Sequence, residues 1–325
     1  MLRYLSASDL VAALPMAAAI EAIEAAFVDA HAGRARCPSR TVIDESIADG
    51  ERRSLLLTMP AAWDGRGFGA KVSTFLGDNP AHGLPAVQGV AVMLDIDSGT
   101  PRLLVDAAAL TSRRTAAMVG LATRQLAAPD AATLGVVGTG ALAREMIEAV
   151  SVVRPIGRVF LYNRTAAKAD RLAESMQDMT IEVLDSADAV AERSSVLILA
   201  TSSTEPVVSD RSVRAGSHIN AVGNFSPRGR EVEGRTVGRA ELWVDSYEGA
   251  ETEAGDLLLA AEEGRIEAGR AGIRGDLARL ACGRGAPEGR ELTLFKTVGT
   301  AIADIAGMVA AYEGAERRGL GTVLD

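Results

Sequence analysis

Residues 133–146, TLGVVGTGALAREM, restrict what this chain can fold into more than any other segment. A short apolar run, Leu134-Gly135-Val136-Val137, leads into a glycine turn and then into a helix-forming sequence. Gly138, Gly140 and Ala143 fall on the spacing G-x-G-x-x-A. The first glycine permits a tight turn, the second clears the space where a pyrophosphate approaches, and the alanine lets the helix lie close to the strand. The N–H groups and dipole at such a helix start favour a phosphate. Glycine turns also occur for purely structural reasons, so context decides. Here a strand candidate, residues 158–163 (RVFLYN), follows at the distance a βαβ unit requires. The segment predicts a dinucleotide site with Gly138, Gly140, Ala141 and Leu142 at the phosphates.

The end of that second strand bears on which dinucleotide is held. A carboxylate there accepts hydrogen bonds from the adenosine ribose and signals NAD. Tyr162-Asn163-Arg164-Thr165 carries none, and Arg164, with Lys168 one turn on, can pair with a 2′-phosphate. This favours NADP(H), with NAD(H) left open. The alternative is that both cations form only the solvated start of a helix.

A chain of 325 residues is long enough for two domains, and 48% hydrophobic with 24% charged residues describes a soluble globular protein. A net charge of −9 opposes nucleic acid or an anionic membrane as a partner. No apolar run is long enough to span a bilayer, and MLRYLSASDL lacks the layout of a cleavable signal, so a cytoplasmic location is expected. Two cysteines and three histidines show neither a disulfide framework nor metal-ligand spacing. Chemistry then falls to lysine, arginine, acids and a bound cofactor.

At the N-terminus Ser6 or Ser8 can cap a short helix, and Pro15 opens a second. Met16, Ile20, Ile23 and Phe27 form its apolar stripe, and Gly33 ends it. Strand candidates at 40–43, 54–59, 69–74, 89–94 and 102–105 predict a mixed α+β layer. A long helix is expected over 110–126 with Thr111 as its N-cap. Helices at 142–150, 166–177 and 188–192 then alternate with strands at 158–163, 181–184, 196–201, 218–222 and 241–245. That alternation predicts an α/β, Rossmann-type doubly wound parallel sheet beside the mixed α+β domain. A last long helix is expected over 297–317. Ligands lie beyond the carboxyl ends of such strands, which adds Thr201, Ser202, Val222 and Gly223 to the candidate cofactor residues, with Asn163, Arg164, Thr165 and Lys168.

Outside the glycine turn, Lys71 sits in the small-residue strand Gly69-Ala70-Lys71-Val72-Ser73-Thr74. Partly buried near other cations, its amine would lose affinity for its proton and suit proton transfer. A lysine on a strand's polar face gives the same pattern. Arg114, in the first turn of the 110–126 helix, can clamp a carboxylate, although spacing alone reads it as a surface arginine. Arg40 is a second cation of this kind. The stretch 218–231, HINAVGNFSPRGRE, ends a strand in a turn that can face a nicotinamide.

Taken together, these segments resemble the ornithine cyclodeaminase/mu-crystallin family nearly end to end. The resemblance is carried by Met59-Pro60, Gly69-Ala70-Lys71, Gly83-Leu84-Pro85, 95–101 (DIDSGTP), 110–117 (LTSRRTAA), the glycine turn, 219–223 (INAVG), 253–257 (EAGDL) and 294–301 (LFKTVGTA). It implies a homodimer whose substrate-binding and dimerisation domain comprises residues 1–118 and 303–325, with a dinucleotide-binding domain at 119–302 between them. It also implies a small anionic imino or amino acid as substrate, held by Arg40, Lys71 and Arg114, with Lys71 beside the reacting carbon. Thr115, Thr297, Val298 and Gly299 would lie at the cofactor. One departure separates the activities known in the family. The cyclodeaminases carry Gly-x-Asp-x-Pro, whereas this chain reads Gly223-Asn224-Phe225-Ser226-Pro227. Phe225 cannot neutralise a distal ammonium, which disfavours ornithine cyclodeamination. The expected activity is NAD(P)H-dependent reduction of a cyclic or simple α-imino acid, such as Δ1-pyrroline- or Δ1-piperideine-2-carboxylate, with Phe225 in the substrate pocket. An alanine-type dehydrogenase and a non-catalytic, crystallin-like NADPH-binding protein remain alternatives.

Overall fold

The computed structural model describes residues 1–45, 54–283 and 292–324. The chain divides into two compact units, Met1–Thr115 with Thr300–Asp325, and Ala116–Gly299. The first begins with β1 (Leu2–Leu5), α1 (Ala7–Ala13) and α2 (Met16–His31). Ser6 caps α1 reciprocally: its hydroxyl accepts from Asp9 N at 3.2 Å, and the Asp9 carboxylate accepts from Ser6 N at 3.1 Å. Pro15 precedes α2, whose Met16, Ile20, Ile23 and Phe27 are buried as the periodicity requires. Next come β2 (Ala35–Arg36), β3 (Thr41–Asp44), β4 (Ser54–Trp63), β5 (Gly67–Leu76), β6 (Val87–Leu94) and β7 (Pro101–Asp106).

The boundary between the units falls inside α3 (Ala107–Leu126). This helix starts three residues earlier than its sequence suggests. Asp106, not Thr111, caps it, accepting from Ala109 N at 2.7 Å, and Ala107-Ala108-Ala109 are strong helix formers. Arg114 therefore lies in the helix interior rather than in its first turn.

The second unit continues with β8 (Thr133–Val137), α4 (Ala143–Val153), β9 (Arg158–Tyr162), α5 (Ala166–Glu174), β10 (Ile181–Val183), α6 (Ala187–Arg193), β11 (Val196–Leu199) and β12 (Ser217–Ala221). It closes with α7 (Gly234–Arg239), β13 (Glu241–Val244), α8 (Tyr247–Glu253), α9 (Gly255–Glu262), β14 (Gly275–Asp276), α10 (Leu277–Ala281) and β15 (Leu292–Lys296). Its strands run in the order β10-β9-β8-β11-β12-β15-β13-β14, and every neighbouring pair is parallel. This is the doubly wound Rossmann-type sheet that the alternation predicts. Strands β8, β11, β12, β13 and β15 are buried almost throughout, as expected of a sheet covered on both faces. Strand order reverses at β8, which has β9 on one side and β11 on the other.

Helix α11 (Ala301–Arg318) and β16 (Thr322–Leu324) return the chain to the first unit. The helical pattern read over 297–317 begins only at Ala301, capped by Thr300, because the N–H groups of Val298 and Gly299 are bound by Asp245 instead. The first unit's sheet runs β16-β1-β7-β6-β5-β4-β2, with β3 also on β4, and all its pairs are antiparallel except β1 with β7. Helix α11 covers the inner face of β4 and β5, which presents Leu55, Leu57, Met59, Ala61 and Trp63 beside Gly69, Lys71 and Ser73. A β-carbon at Gly69 would crowd Met308 and Ile305 of α11, so glycine there admits the helix. Among the described residues, no single helix is long and apolar enough to cross a membrane.

Candidate active site

Lys71 occupies the inner face of β5, in register with Met59 on β4 and Ala91 on β6. An amine in that apolar layer needs a partner, and α11 supplies one. Lys71 Nζ donates to Asp304 Oδ1 at 3.1 Å and to Thr111 Oγ1 of α3 at 3.3 Å. Arg114 Nε pairs with the same Asp304 oxygen at 2.9 Å. Lys71, Arg114 and Asp304 are 3%, 4% and 1% exposed, so the surface reading of Lys71 and Arg114 does not hold. The preceding residue, Arg113, turns the other way and donates Nε to Leu14 O at 3.0 Å. Arg40, half-buried ahead of β3, adds a third positive charge felt by both Lys71 and Asp304.

The electrostatics follow from these positions. Burial pushes the Lys71 amine down from 10.5 to about 8; Asp304 opposes this, while Arg114 and Arg40 reinforce it. Burial works against an ionised Asp304, yet the neighbouring Arg114 and Lys71 hold its carboxyl below the usual range. Arg114 Nη1 is buried with no hydrogen-bond partner among the described residues. Two buried cations on one carboxylate leave an excess of positive charge and an unsatisfied guanidinium edge, which suits a small carboxylate ligand. Asp304 has no place among the sequence-derived candidates. Its signal is an acidic residue inside the apolar run Ala301-Ile302-Ala303-Asp304-Ile305-Ala306.

In the second unit a cleft of about 730 Å³ opens at the carboxyl ends of β8, β9 and β11. Gly138, Gly140, Asn163, Arg164, Thr165, Lys168, Thr201 and Ser202 line it, together with Asp188 and Val207. Gly138 has φ +96°, and a β-carbon there would strike Ala200; at Gly140 a β-carbon would enter open space. No side chain caps α4, and its first N–H, that of Ala143, donates to Gly140 O at 3.1 Å within the glycine turn. Asn163 Oδ1 accepts from Thr139 N at 3.1 Å and so braces that turn. Arg164 and Lys168 are exposed at the start of α5, and no carboxylate ends β9. Ala141, Leu142, Val222, Gly223, Val298 and Gly299 belong to this unit without lining the cleft, and Thr115 belongs to the first unit. Phe225, half-buried, packs on the second unit's own core.

Behind the cleft lies a buried ionic network that sequence reasoning missed. Glu231 Oε1 accepts from Thr201 N at 2.6 Å and Thr201 Oγ1 at 2.8 Å, and Oε2 accepts from Gly223 N at 2.7 Å and Asn224 N at 3.2 Å. One carboxylate thereby ties the ends of β11 and β12 together. Burial raises its pKa and Lys296 opposes the rise. Lys296 Nζ lies 2.7 Å from Asp256 Oδ2 and donates to Asn224 O at 2.6 Å, and Asp256 Oδ1 accepts from Glu231 N and Val232 N. Asp245 Oδ2 likewise gathers Thr297 Oγ1 at 2.6 Å, Val298 N at 3.0 Å and Gly299 N at 2.6 Å. Burial of these acids depends on tertiary contacts, which leave only a faint trace in the sequence.

Residues 3–319 match the family model described as "Ornithine cyclodeaminase/mu-crystallin family". A Delta(1)-pyrroline-2-carboxylate reductase from Bacillus cereus is 34% identical over 292 residues, covering 88% of this chain and 89% of its own length. Delta(1)-pyrroline-2-carboxylate reductase from Thermococcus litoralis, solved with NADH and L-proline, superposes with a TM-score of 0.93 at 35% identity, over 99% of this chain and 100% of that one. An archaeal alanine dehydrogenase dimer with bound NAD gives a TM-score of 0.90 at 28% identity, over 100% of this chain and 99% of that one. The family read from the sequence segments is borne out over nearly the whole length, and the chain belongs to the ornithine cyclodeaminase/mu-crystallin family.

Proposed function

We propose that this protein is a nicotinamide-dependent reductase of small cyclic or simple α-imino acids, with Δ1-pyrroline-2-carboxylate or Δ1-piperideine-2-carboxylate as the type of substrate. The observation that carries this is the buried pairing of Lys71 and Arg114 with Asp304, with Arg114 Nη1 unpartnered among the described residues and the charge of half-buried Arg40 felt at the same place. The likeness to reductases of that name in Bacillus cereus and Thermococcus litoralis supports it. On this reading the first unit holds the imino acid and the second holds the dinucleotide.

The second unit fits a dinucleotide by its own geometry: a tight turn at Gly138, open space at Gly140, an uncapped α4 and a cleft of suitable size. Arg164 and Lys168, without a carboxylate at the end of β9, favour NADP(H), with NAD(H) also accepted. A reduced nicotinamide, when bound, supplies the hydride. Arg114 and Arg40 clamp the substrate carboxylate and orient the C=N bond. Lys71 Nζ delivers a proton to the imine nitrogen as the carbon gains its hydride, so the product is the amino acid and Lys71 is left neutral. An ammonium of reduced proton affinity is well suited to that transfer. Phe225, in the place of the cyclodeaminase aspartate, supports a substrate with no distal charge.

A second reading, an alanine-type dehydrogenase, is favoured by the likeness to the archaeal enzyme. The deciding experiment follows NADH and NADPH consumption with each cyclic imine and, separately, with pyruvate plus ammonia. Turnover of the imines upholds the reductase; turnover only with pyruvate and ammonia replaces it with the dehydrogenase. Arg164→Ala is expected to weaken NADPH about tenfold or more while NADH changes little, since a charge-assisted pair to the 2′-phosphate is lost; equal losses in titrations of the two nucleotides would overturn the NADP(H) preference. The outer face of the first unit's sheet exposes Leu56, Phe68, Val72 and Val90 on β4, β5 and β6, and a second copy of the chain is the occupant we assign to it.

A further inference from the structure

Structural ion pairs inside proteins tend to neutralise, because an uncompensated buried charge is costly. The group around Asp304 does not follow that rule. One oxygen, Oδ1, takes both Lys71 Nζ at 3.1 Å and Arg114 Nε at 2.9 Å, while Arg114 Nη1 stays buried without a partner among the described residues. Three elements meet at this oxygen: β5 through Lys71, α3 through Arg114 and Thr111, and α11 through Asp304 in its first turn.

We propose, resting on the reductase reading above, that Asp304 is the positioning residue of the substrate site, holding Lys71 and Arg114 on one carboxylate oxygen so that ammonium proton and open guanidinium edge converge on the same bound imino acid. Thr111 is the second tether of the amine and sets its direction. The groups facing Lys71 are Asp304 from α11, Arg114 and Thr111 from α3, and Arg40 from ahead of β3, whereas β4 and β6 present the uncharged Met59 and Ala91. Among the described residues, Asp304 is the anion in that set. Without it, the amine keeps the repulsion of Arg114 and Arg40 and loses its attraction to a carboxylate, which favours its neutral form at the pH where a proton must be given.

The test uses the full chain and two readouts. The first is the ¹⁵N titration of Lys71 Nζ, assigned with Lys71→Arg. The second is the kcat of imine reduction across pH, with nucleotide affinity measured alongside by fluorescence. In Asp304→Asn the Lys71 midpoint is expected to fall by about one pH unit or more, as for loss of an adjacent opposite charge. A misdirected amine and guanidinium should lower kcat about tenfold or more, with NADH affinity within about twofold of the parent. An unmoved midpoint or an unchanged kcat overturns the proposal. Should Asp304→Asn not fold, Asp304→Glu keeps the charge and displaces it by one methylene. That variant is expected to retain the midpoint and lose kcat, and parental kcat overturns the positioning role. If the parent reduces no imino acid, the reductase reading fails by itself, and the Lys71 titration still decides whether Asp304 governs the amine.

Discussion

An amine buried beside two guanidinium groups releases its proton more readily than one in water, and Lys71 titrates at about 8 rather than 10.5. Two consequences of opposite sign follow. With the protonated amine as the proposed proton donor, kcat/KM for the imine is expected to fall as pH rises through about 8. Between that value and 10.5 the unfolded chain binds more protons at this site than the folded one, so Lys71 makes stability rise with pH in that window. Rate profiles and urea unfolding over the same pH series check both, and a flat alkaline limb would remove Lys71 as proton donor. In the second unit, Lys296→Met leaves the Asp256 carboxylate buried without its cation, and the expected cost is about 3–5 kcal/mol in urea unfolding. A cost below about 1 kcal/mol would mean the backbone N–H groups on Asp256 suffice. How far such roles can be read in advance is shown by Arg113 and Arg114. They are identical in type and adjacent, yet one binds a backbone carbonyl and the other the site's carboxylate. The motif marks the pair, and only the helix phase that begins at Asp106 separates them.

At the scale of elements, the second unit was legible from β8 to β12 and at β13, where strand and helix periods alternate, whereas α7–α10, β14 and β15 were not read from the sequence. Its parallel order follows from the alternation, although β15 enters between β12 and β13 with no such signal in the pattern. The strands β1 and β16 span Leu2–Leu5 and Thr322–Leu324, too short for a period to register, and exist because β16 pairs with β1 and β1 with β7. Elements also explain why Gly223 is needed. A β-carbon there would overlap the backbone N and O of Thr201, in the loop that lines the cleft and that Glu231 ties to the end of β12. Gly223→Ala is therefore expected to spread the ends of β11 and β12 and to weaken dinucleotide binding about tenfold or more. Equilibrium titration with NADH and NADPH measures this, and unchanged affinity would show that the cleft tolerates the displacement.

For the whole molecule, the outer face of the first unit's sheet matters most. Thr58, Val72 and Val90 stand side by side across β4, β5 and β6, and two of the three are exposed valines. A charge there opposes burial against a second copy but leaves the inner face and its cations untouched. With a second copy on this face as proposed, the parent is expected to sediment as a dimer and Val90→Lys as monomers at micromolar concentration, and a dimer retained by the variant would move the interface elsewhere. The cluster at Asp304 also carries a history in how the chain is made. Arg40, Lys71 and Arg114 leave the ribosome early, whereas Asp304 emerges only after the contiguous second unit has been translated. A nascent chain thus holds three like charges, awaiting the helix that will seat them, while the Rossmann-type unit is free to fold first.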